Sequence, residues 1–519
     1  MDDRAYTYNL GLAFYNISET YGSNTALKYP NGEGYTYKEI NNISNKLSRF
    51  LLDTGIAKGD VIAIFNDKSL FAYSLMIACL KAGIIYTNLD TTSPWQRIYK
   101  ILNTCLPKAI FHENTSDALI SQAEAEFKDA FFFSLSDKKF KDKVLNHEDR
   151  NIEQTTLIQG NHPAYIMFTS GSTGFPKGAT MSHNNILNFI KWGQQTFSIS
   201  TKDVFTNANP IYFDNSVFDF YSSLFSGATL VPLNGDLLKD PKQLVKAVND
   251  SKCTLWFSVP SLLVYLLTTK AITKEDFKNV TRISFGGEGF PKAKLKQLYD
   301  LLGNRVKLFN VYGPTECTCI CSSYIINKSD FVNMTELAPL GNIAPNFGYE
   351  ILAIEGEGDL KLGELALSGP CVGLGYYNDK ERTEKSFIQN PNKKYREIIY
   401  KTGDLVQLGD NGYLYFKGRT DNQIKHMGYR IELEEVESAF SSLTYVNEVG
   451  VIYEKISAEL GQIKAYVSLN DPKITSQSIL SDIKTILPHY MLPKSINIVD
   501  ALPKNRNGKI DRKQLTALK

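Results

Sequence analysis

The chain has 519 residues, of which 43% are hydrophobic and 22% charged, as is usual for a globular enzyme with more than one domain. Its 57 basic and 55 acidic side chains give a net charge of +2, so the composition points neither to nucleic acid nor to a membrane surface as a partner. The sequence contains no apolar run long enough to span a bilayer, and its first residues lack the pattern of a signal peptide. We therefore expect a cytoplasmic protein.

Helix-like and strand-like runs alternate at the start of the chain. Helical spacing of apolar residues covers 37–54 and 70–81, and short apolar runs typical of strands cover 61–65 and 84–89. This alternation predicts parallel β-α-β units with helices covering a sheet. The charged, weakly periodic stretch 138–154 is interpreted as a surface connection.

A loop rich in glycine and hydroxyl residues comes next, and its sequence is Met167-Phe-Thr-Ser-Gly-Ser-Thr-Gly-Phe-Pro-Lys-Gly178. The apolar run 164–168 predicts a buried strand that delivers this loop to a ligand. Backbone N–H groups, short hydroxyls and the mobile charge of Lys177 suit the oxygens of a nucleotide phosphate. The loop is not a Walker motif, because Pro176 precedes the lysine and no Ser or Thr follows it. A plain surface turn is the alternative.

The loop resembles the phosphate-binding signature of the adenylate-forming superfamily, which includes acyl-CoA synthetases, luciferases and the adenylation domains of nonribosomal peptide synthetases. Further matches follow in the family's order along nearly the whole chain. The resemblance implies an α/β fold whose large N-terminal domain (1–420) has αβ-sandwich subdomains and a β-barrel-like subdomain, hinged to a small α+β C-terminal domain (421–519). It implies ATP and Mg²⁺ as cofactors, and it assigns nucleotide binding to Thr169, Ser170, Gly171, Ser172, Thr173, Gly174 and Lys177.

The segment Tyr212-Phe-Asp-Asn-Ser-Val-Phe-Asp219 resembles the family motif that opens the acyl-substrate pocket. In the amino-acid-activating branch the matching aspartate, here Asp214, pairs with the substrate α-ammonium, which cannot leave water cheaply without a carboxylate partner. A turn or N-cap aspartate is the alternative. The aligned lining is neutral apart from Asp214 and from Lys509 at the substrate carboxylate, so it predicts a neutral, small or medium amino acid. The aligned positions are Asp214, Asn215, Phe218, Phe257, Ser284, Gly286, Val311, Cys319 and Ile320.

The segment Phe309-Asn-Val-Tyr-Gly-Pro-Thr-Glu316 is similar to the family's adenine and metal motif. By this resemblance Tyr312 stacks on adenine, Asn310 meets its hydrogen-bonding edge and Thr315 reaches the α-phosphate. Glu316 is a hard oxygen ligand that suits Mg²⁺.

Cys317, Cys319 and Cys321 follow this motif as a C-x-C-x-C run. The spacing predicts that they share one face of a strand, whereas zinc sites use pairs of cysteines at wider spacing. We interpret them as core or pocket lining, and we expect all seven cysteines to be reduced thiols.

The last third of the chain continues the resemblance. Asp404 has two oxygens for the ribose hydroxyls, Arg419 contacts ribose or phosphate, and Asp421 is the hinge between the domains. Before Gly428 this chain has His-Met, where the family usually has Ile-Arg. The run 431–440 predicts an amphipathic helix with a solvated acidic face. Lys509 is assigned to catalysis by its position in the resemblance alone.

The chain ends seven residues after Arg512 and contains no His-His-x-x-x-Asp condensation signature. These features predict a free-standing enzyme that activates an amino acid and loads it on a separate, phosphopantetheinylated carrier protein. A D-alanine:carrier protein ligase is the nearest alternative. An acyl-CoA or aryl-acid ligase leaves Asp214 unexplained. A regulatory protein without turnover is disfavoured, because the charged residues of the motifs are all kept: Lys177, Glu316, Asp404, Arg419 and Lys509.

Overall fold

The computed structural model describes residues 6–171, 174–353, 361–456, 461–504 and 510–517. The helices in these ranges are α1 (Leu10–Thr20), α2 (Tyr37–Asp53), α3 (Leu70–Ala82), α4 (Trp95–Cys105), α5 (Asp117–Glu126), α6 (Lys138–Leu145), α7 (His183–Thr196), α8 (Asn215–Val217), α9 (Gly235–Lys239), α10 (Pro241–Asp250), α11 (Pro260–Thr268), α12 (Lys292–Leu302), α13 (Lys380–Ser386), α14 (Leu433–Ser441), α15 (Ser476–Ile483) and α16 (Arg512–Ala517). No helix among these is both long enough and apolar enough to cross a membrane.

The strands in the same ranges are β1 (Thr25–Lys28), β2 (Gly34–Thr36), β3 (Val61–Phe65), β4 (Ile85–Leu89), β5 (Ala109–His112), β6 (Phe131–Ser134), β7 (Pro163–Thr169), β8 (Lys177–Ser182), β9 (Val204–Asn207), β10 (Thr229–Pro232), β11 (Leu255–Ser258), β12 (Arg282–Gly286), β13 (Lys307–Tyr312), β14 (Ser322–Ile325), β15 (Asn342–Ile343), β16 (Gly348–Leu352), β17 (Leu362–Ser368), β18 (Gly375–Tyr376), β19 (Phe387–Gln389), β20 (Ile398–Leu408), β21 (Leu414–Arg419), β22 (Gln423–His426), β23 (Tyr429–Glu432), β24 (Val446–Lys455), β25 (Gly461–Leu469) and β26 (Ser495–Ile498).

Two large sheets form the body of the N-terminal domain. One has nine strands in the order β15-β14-β13-β12-β11-β9-β10-β1-β2, and the other has seven in the order β18-β8-β7-β4-β3-β5-β6. Their central strands are parallel, because each connection crosses back over a sheet face. One apolar core takes side chains from both sheets, including Ile62 of β3 and Phe205 of β9. Two further cores lie on the outer faces.

A third, antiparallel sheet completes the N-terminal domain. It has five strands in the order β16-β17-β20-β19, with β21 paired to β20. After it the chain forms the two-stranded hairpin β22-β23 and then the sheet β24-β25-β26, on which α14 and α15 pack with a separate apolar core. The prediction of an α/β protein with a large N-terminal and a small C-terminal domain is confirmed.

Hydrophobic periodicity located the early elements well. The predicted runs correspond to α2, β3, α3 and β4, and the strand before the glycine-rich loop is β7. The interpretation of 138–154 as a bare connection is wrong, because it contains α6. Phe140 and Val144 lie one helical turn apart and both are buried, and this short apolar stripe is enough to fix the helix on the core.

The cysteine run is buried, as predicted, but it is not part of a strand. Cys317 ends a 3₁₀ turn, and the next two residues, Thr318 and Cys319, have φ values of 58° and 78°. The chain therefore turns sharply here, and the expected period-two face does not exist. All three thiols are free and buried, and burial raises their pKa values. The described residues contain no cluster of three or more side chains suited to bind a metal.

Candidate active site

A cavity of about 540 Å³ lies between the N-terminal domain and the hairpin β22-β23. The end of β7, the start of α11, the middle of β20 and the end of β21 form its N-terminal wall. Many residues predicted from separate parts of the sequence meet on this one surface. The predicted residues that line the cavity are Thr169, Ser170, Asp214, Asn215, Thr315, Asp404 and Arg419.

The glycine-rich loop connects two paired strands. β7 ends at Thr169 and β8 begins at Lys177, so an antiparallel pair fixes both ends of the loop. A Cβ on Gly171 would lie 2.0 Å from the carbonyl oxygen of Phe175, so the loop can fold back on itself only with glycine there. The Thr169 hydroxyl is buried at the cavity and has no hydrogen-bond partner in the described part of the chain. It is thus available to a ligand.

Groups of the C-terminal domain contact this loop directly. Ser170 Oγ donates to the backbone oxygen of Arg430 (2.7 Å), and Lys177 Nζ donates to Glu432 Oε1 (3.1 Å). Burial and the nearby charge of Arg430 lower the pKa of the Lys177 ammonium. In this domain orientation, backbone and side-chain groups of the C-terminal domain bind the groups that the sequence assigns to ATP phosphates.

Glu316, the predicted metal ligand, is held in the same way. Its Oε1 accepts a hydrogen bond from the Tyr376 hydroxyl (2.8 Å), and its Oε2 pairs with Arg430 Nη1 (2.8 Å). Burial alone would raise the pKa of Glu316, but the charges of Arg430 and Lys177 outweigh it and lower the pKa to about 2. The carboxylate is therefore ionised at neutral pH.

The predicted ribose site is a network around Asp404. Its Oδ2 accepts from the Tyr312 hydroxyl (2.6 Å), and its Oδ1 accepts from Arg419 Nη1 (2.6 Å). Arg419 also pairs with Asp421 through Nη2 (2.6 Å). Burial alone would raise the pKa of Asp421, but the hydrogen bonds and charge of Arg419 lower it. Since a carboxylate oxygen accepts more than one hydrogen bond, Asp404 retains capacity for a ligand.

Asp214 forms the acyl-substrate end of the cavity. It precedes the short helix α8, and its Oδ2 accepts a hydrogen bond from the Thr315 hydroxyl. Burial raises the pKa of Asp214, and the Thr315 hydrogen bond only partly opposes this. Asn215 lies beside it, close to Gly287. A half-buried carboxylate at a cavity wall, with a hydroxyl as its nearest donor, is suited to receive a cation.

The other predicted pocket residues lie behind the cavity wall. Phe218 is fully buried and packs against Phe257 and Phe197, with ring centroids 5.3 and 5.0 Å apart. Asn310 and Tyr312 also lie outside the lining, and the Asn310 amide donates to the Pro339 carbonyl (2.7 Å). The remaining buried residues of the predicted pocket are Ser284, Gly286, Val311, Cys319 and Ile320.

The structure adds cavity residues that sequence reasoning did not assign. Lys425 and Arg430 stand on β22 and β23, and Lys425 Nζ lies 5.5 Å from the centre of the Tyr312 ring. Met427 and Gly428 form the two-residue turn between these strands, with φ values of 53° and 82°. Glycine between two alternating runs is the hairpin signal that could have located these side chains.

The expectation that the acidic face of 431–440 is solvated is wrong for its first turn. Glu435 is buried and pairs with Arg97, and its second oxygen accepts from Gly171 N (3.1 Å). Arg97 stands 338 positions earlier in the chain, so no local pattern could reveal this contact. The helix is a domain interface.

Three assigned residues, Ser172, Thr173 and Lys509, lie outside the described part of the chain. On either side of 505–509, Lys504 and Ile510 form a β-bridge, and Ile510 packs on Gly450 of β24. In the ranges 495–504 and 510–517 no residue lines the cavity.

This two-domain α/β architecture, with a glycine-rich loop and the buried carboxylate of Asp404 at a cavity beside the C-terminal domain, is that of an adenylate-forming enzyme. The sequence matches the AMP-binding enzyme family over residues 14–377 and the C-terminal domain of AMP-binding enzymes over residues 435–509. The chain belongs to the AMP-binding enzyme family, whose members use ATP.

Characterised relatives align along almost the whole chain. The D-alanine–D-alanyl carrier protein ligase of Bacillus cytotoxicus is 30% identical over 488 residues, which cover 92% of this chain and 94% of the relative. Surfactin synthase subunit 3 of Bacillus subtilis is 30% identical over 494 residues, which cover 94% of this chain and 37% of that protein.

Solved structures share the fold. An artificially fused adenylation–PCP di-domain from Klebsiella oxytoca superimposes with a TM-score of 0.80 at 20% identity, covering 95% of this chain and 94% of the other. The o-succinylbenzoate CoA synthetase of Bacillus subtilis gives 0.83 at 22% identity and covers 99% of both chains. At these identities the structural similarity establishes the fold alone.

Proposed function

We propose that the protein activates a neutral amino acid of small or medium size with ATP as an aminoacyl adenylate, and then transfers the aminoacyl group to the phosphopantetheine thiol of a carrier protein. The single observation on which this rests is Asp214, a half-buried carboxylate at the cavity wall beside the predicted nucleotide site. Burial disfavours the charged form of the Asp214 carboxylate. A substrate ammonium would give this carboxylate a cationic partner and so stabilise its charge. Fatty and aryl acids offer no such cation.

The packing behind the cavity supports a small side chain on the substrate. Phe218, which directly follows the short helix α8 that begins at Asn215, packs against Phe257, and both rings are fully or almost fully buried. No charged side chain other than Asp214 stands among the aligned pocket positions of the N-terminal domain. A neutral amino acid of small or medium size therefore fits better than a charged or bulky one.

The first reaction joins two anions, because the substrate carboxylate attacks the α-phosphorus of ATP while pyrophosphate leaves. We assign Lys509 and Lys177 to offset this charge, Thr315 to the α-phosphate, and Asp404 with Arg419 to the ribose. Tyr312 and Asn310 are assigned to adenine.

Glu316 fits the predicted role of Mg²⁺ ligand in its chemistry. It is an ionised, hard oxygen donor, and a single protein carboxylate suits an Mg²⁺ ion held mainly by phosphate oxygens. The bound ion would neutralise phosphate charge. Arg430 occupies Glu316 Oε2 in the present orientation, so binding of the ion requires Arg430 to withdraw.

The two reactions need different orientations of the C-terminal domain. The described residues on both sides of 505–509 lie away from the cavity, while the hairpin β22-β23 forms one of its walls. We assign the present orientation to thiol transfer and an orientation rotated about Asp421 to adenylation, with a domain boundary between residues 420 and 421.

A D-alanine:carrier protein ligase is the second candidate. It is favoured by the name of the Bacillus cytotoxicus relative, which aligns over nearly its full length, and a small pocket is compatible with it. Surfactin synthase, a peptide synthetase relative, aligns to the same extent of this chain. Enantiomer preference separates the two candidates.

The test is amino-acid-dependent exchange of labelled pyrophosphate into ATP with Mg²⁺, using both enantiomers of the standard amino acids. We expect a signal for one or a few small neutral amino acids. D-alanine alone would select the second candidate. Silence across the panel, with thioester formation from a fatty or aryl acid and coenzyme A, would refute amino-acid activation.

A further inference from the structure

One carboxylate outside the predicted site connects the two domains beside the cavity. Glu288 stands in the loop after β12, and its Oε1 accepts a hydrogen bond from Ser261 N (2.7 Å) in the first turn of α11. Its Oε2 accepts from Gly428 N (2.9 Å), at the turn of the hairpin β22-β23. Both oxygens of one side chain therefore hold backbone groups of different domains.

The hairpin turn fits tightly at this point. A Cβ on Gly428 would lie 2.6 Å from Val259 Cγ1, at the residue before α11. Gly428 also has a φ of 82°, which other residues adopt only at a cost. The Gly428 N–H donates to Glu288. The packing of the turn on Val259 and this hydrogen bond therefore occur at the same residue and depend on each other.

This contact closes the cavity, although Glu288 itself does not line it. Val259, Ser261, Met427 and Gly428 all line the cavity, whereas Glu288 lines the adjoining cleft on the far side of the hairpin. The Glu288 carboxylate thus affects the cavity only by joining α11 to the hairpin turn. It contacts none of the groups assigned to ATP. A rotation of the C-terminal domain would break the Gly428 bond and leave the Ser261 bond intact.

We infer that Glu288 is a positioning residue for the thiol-transfer step: it fixes the hairpin turn against α11 and so completes the wall of the cavity along which the thiol arrives. The inference rests on the proposed function, because it assigns the present orientation to the second reaction. Adenylation takes place in the other orientation and does not need the Gly428 bond.

The test separates the two reactions in the variant Glu288→Gln. The glutamine keeps one acceptor oxygen but places an NH₂ group against the other backbone N–H. Aminoacyl adenylate is formed on the enzyme with the amino acid active in pyrophosphate exchange, pyrophosphate is removed, and pantetheine is added as the thiol. We expect transfer to slow about 10-fold, while exchange stays within about 2-fold of wild type. The matched control is Glu336→Gln, whose carboxylate contacts only the exposed Lys417 among the described residues.

A double-mutant cycle shows whether Glu288 acts through the hairpin. Gly428→Ala slows transfer by displacing the same turn, and we expect Glu288→Gln to add little to it, since both changes remove one contact. Additive losses would overturn the inference, as would a parallel loss of exchange and transfer in Glu288→Gln, which would make Glu288 a support for α11 alone. Unchanged transfer would overturn it too. Failure of the proposed function is a different result: wild-type protein without exchange for any amino acid.

Discussion

At the scale of single residues, the substrate class depends on Asp214. The variant Asp214→Asn keeps the size of the side chain and removes its charge. We expect kcat/KM for the amino acid in pyrophosphate exchange to fall about 100-fold, since a charge-assisted hydrogen bond to the ammonium is lost. The matched control is Asp300→Asn, an exposed aspartate paired with Lys296 on α12, which should behave as wild type. Equal losses in both variants would contradict the assignment.

A buried histidine gives the protein a predictable response to acid. His183 is inaccessible to solvent, and its Nδ1 accepts from Leu10 N (3.1 Å). Burial, with a smaller effect of His162, lowers its pKa to about 3. The folded protein therefore keeps this ring neutral where the unfolded chain binds a proton. The stability that His183 contributes is complete above its unfolded pKa of about 6.5 and is lost as the pH falls from there toward about 3.

The variant His183→Gln removes this titration and keeps an acceptor for Leu10. Between about pH 7 and about pH 5, we expect its free energy of unfolding to fall less than that of wild type, by up to about 2 kcal/mol. Urea denaturation at both pH values measures the difference. His489→Gln, at an exposed histidine, is the control. A wild-type slope in His183→Gln would show that the ring is protonated in the folded state.

At the scale of elements, the hairpin β22-β23 competes with the nucleotide. Arg430 pairs with Glu316, and Glu432 pairs with Lys177, so side chains of the hairpin are bound to the groups assigned to Mg²⁺ and to the ATP phosphates. On the proposed assignments, docking of the hairpin and binding of MgATP exclude each other. If the hairpin is docked for a smaller fraction of the time, the apparent affinity for ATP rises, because a larger fraction of the protein is competent to bind ATP.

The variant Glu432→Gln weakens docking by removing the charge beside Lys177. We expect the apparent KM for ATP in pyrophosphate exchange to fall about 3- to 10-fold. The control is Glu434→Gln, because the described partners of Glu434, Asn422 and Arg512, all lie in the C-terminal domain. A higher KM for ATP in Glu432→Gln would show that this carboxylate supports nucleotide binding instead.

Elements with a local signal were predictable, and elements defined by distant partners were not. Neighbouring residues are enough to identify the apolar runs of β3 and β7 and the capping box at Thr36 before α2. The buried role of Glu435 depends on Arg97, which stands in a different domain. Sequence patterns report whether a helix is amphipathic, but they do not show what covers its polar face.

In the molecule as a whole, the two proposed reactions require rotation of the C-terminal domain about Asp421. Proline there removes one free backbone rotation. We expect Asp421→Pro to slow one isolated half-reaction at least about 10-fold more than the other, because the domain then favours one orientation. Asp421→Ala, which also loses the pair with Arg419, is the control that keeps backbone freedom. Both half-reactions unimpaired in the proline variant would contradict the rotation.

Which residues meet in the candidate site was predictable only in part. Motifs far apart in sequence were assigned to one nucleotide and one substrate, and the structure brings Thr169, Asp214, Thr315 and Asp404 to one cavity. The depth of the pocket was not predictable, because it depends on how Phe218 packs against its aromatic neighbours. The cysteine run shows the same limit, since positive φ at Thr318 and Cys319 replaces the strand that its spacing suggested.

The most direct measurement compares alanine, as each enantiomer, with propionate in ATP–pyrophosphate exchange on the wild-type protein. The two acids differ only in the ammonium that Asp214 is proposed to bind. We predict that one enantiomer of alanine supports exchange and that propionate is about 100-fold weaker, because it leaves the half-buried Asp214 carboxylate without a cationic partner. Exchange with propionate as fast as with alanine would contradict the account, since the cavity would then recognise a carboxylic acid without its amino group.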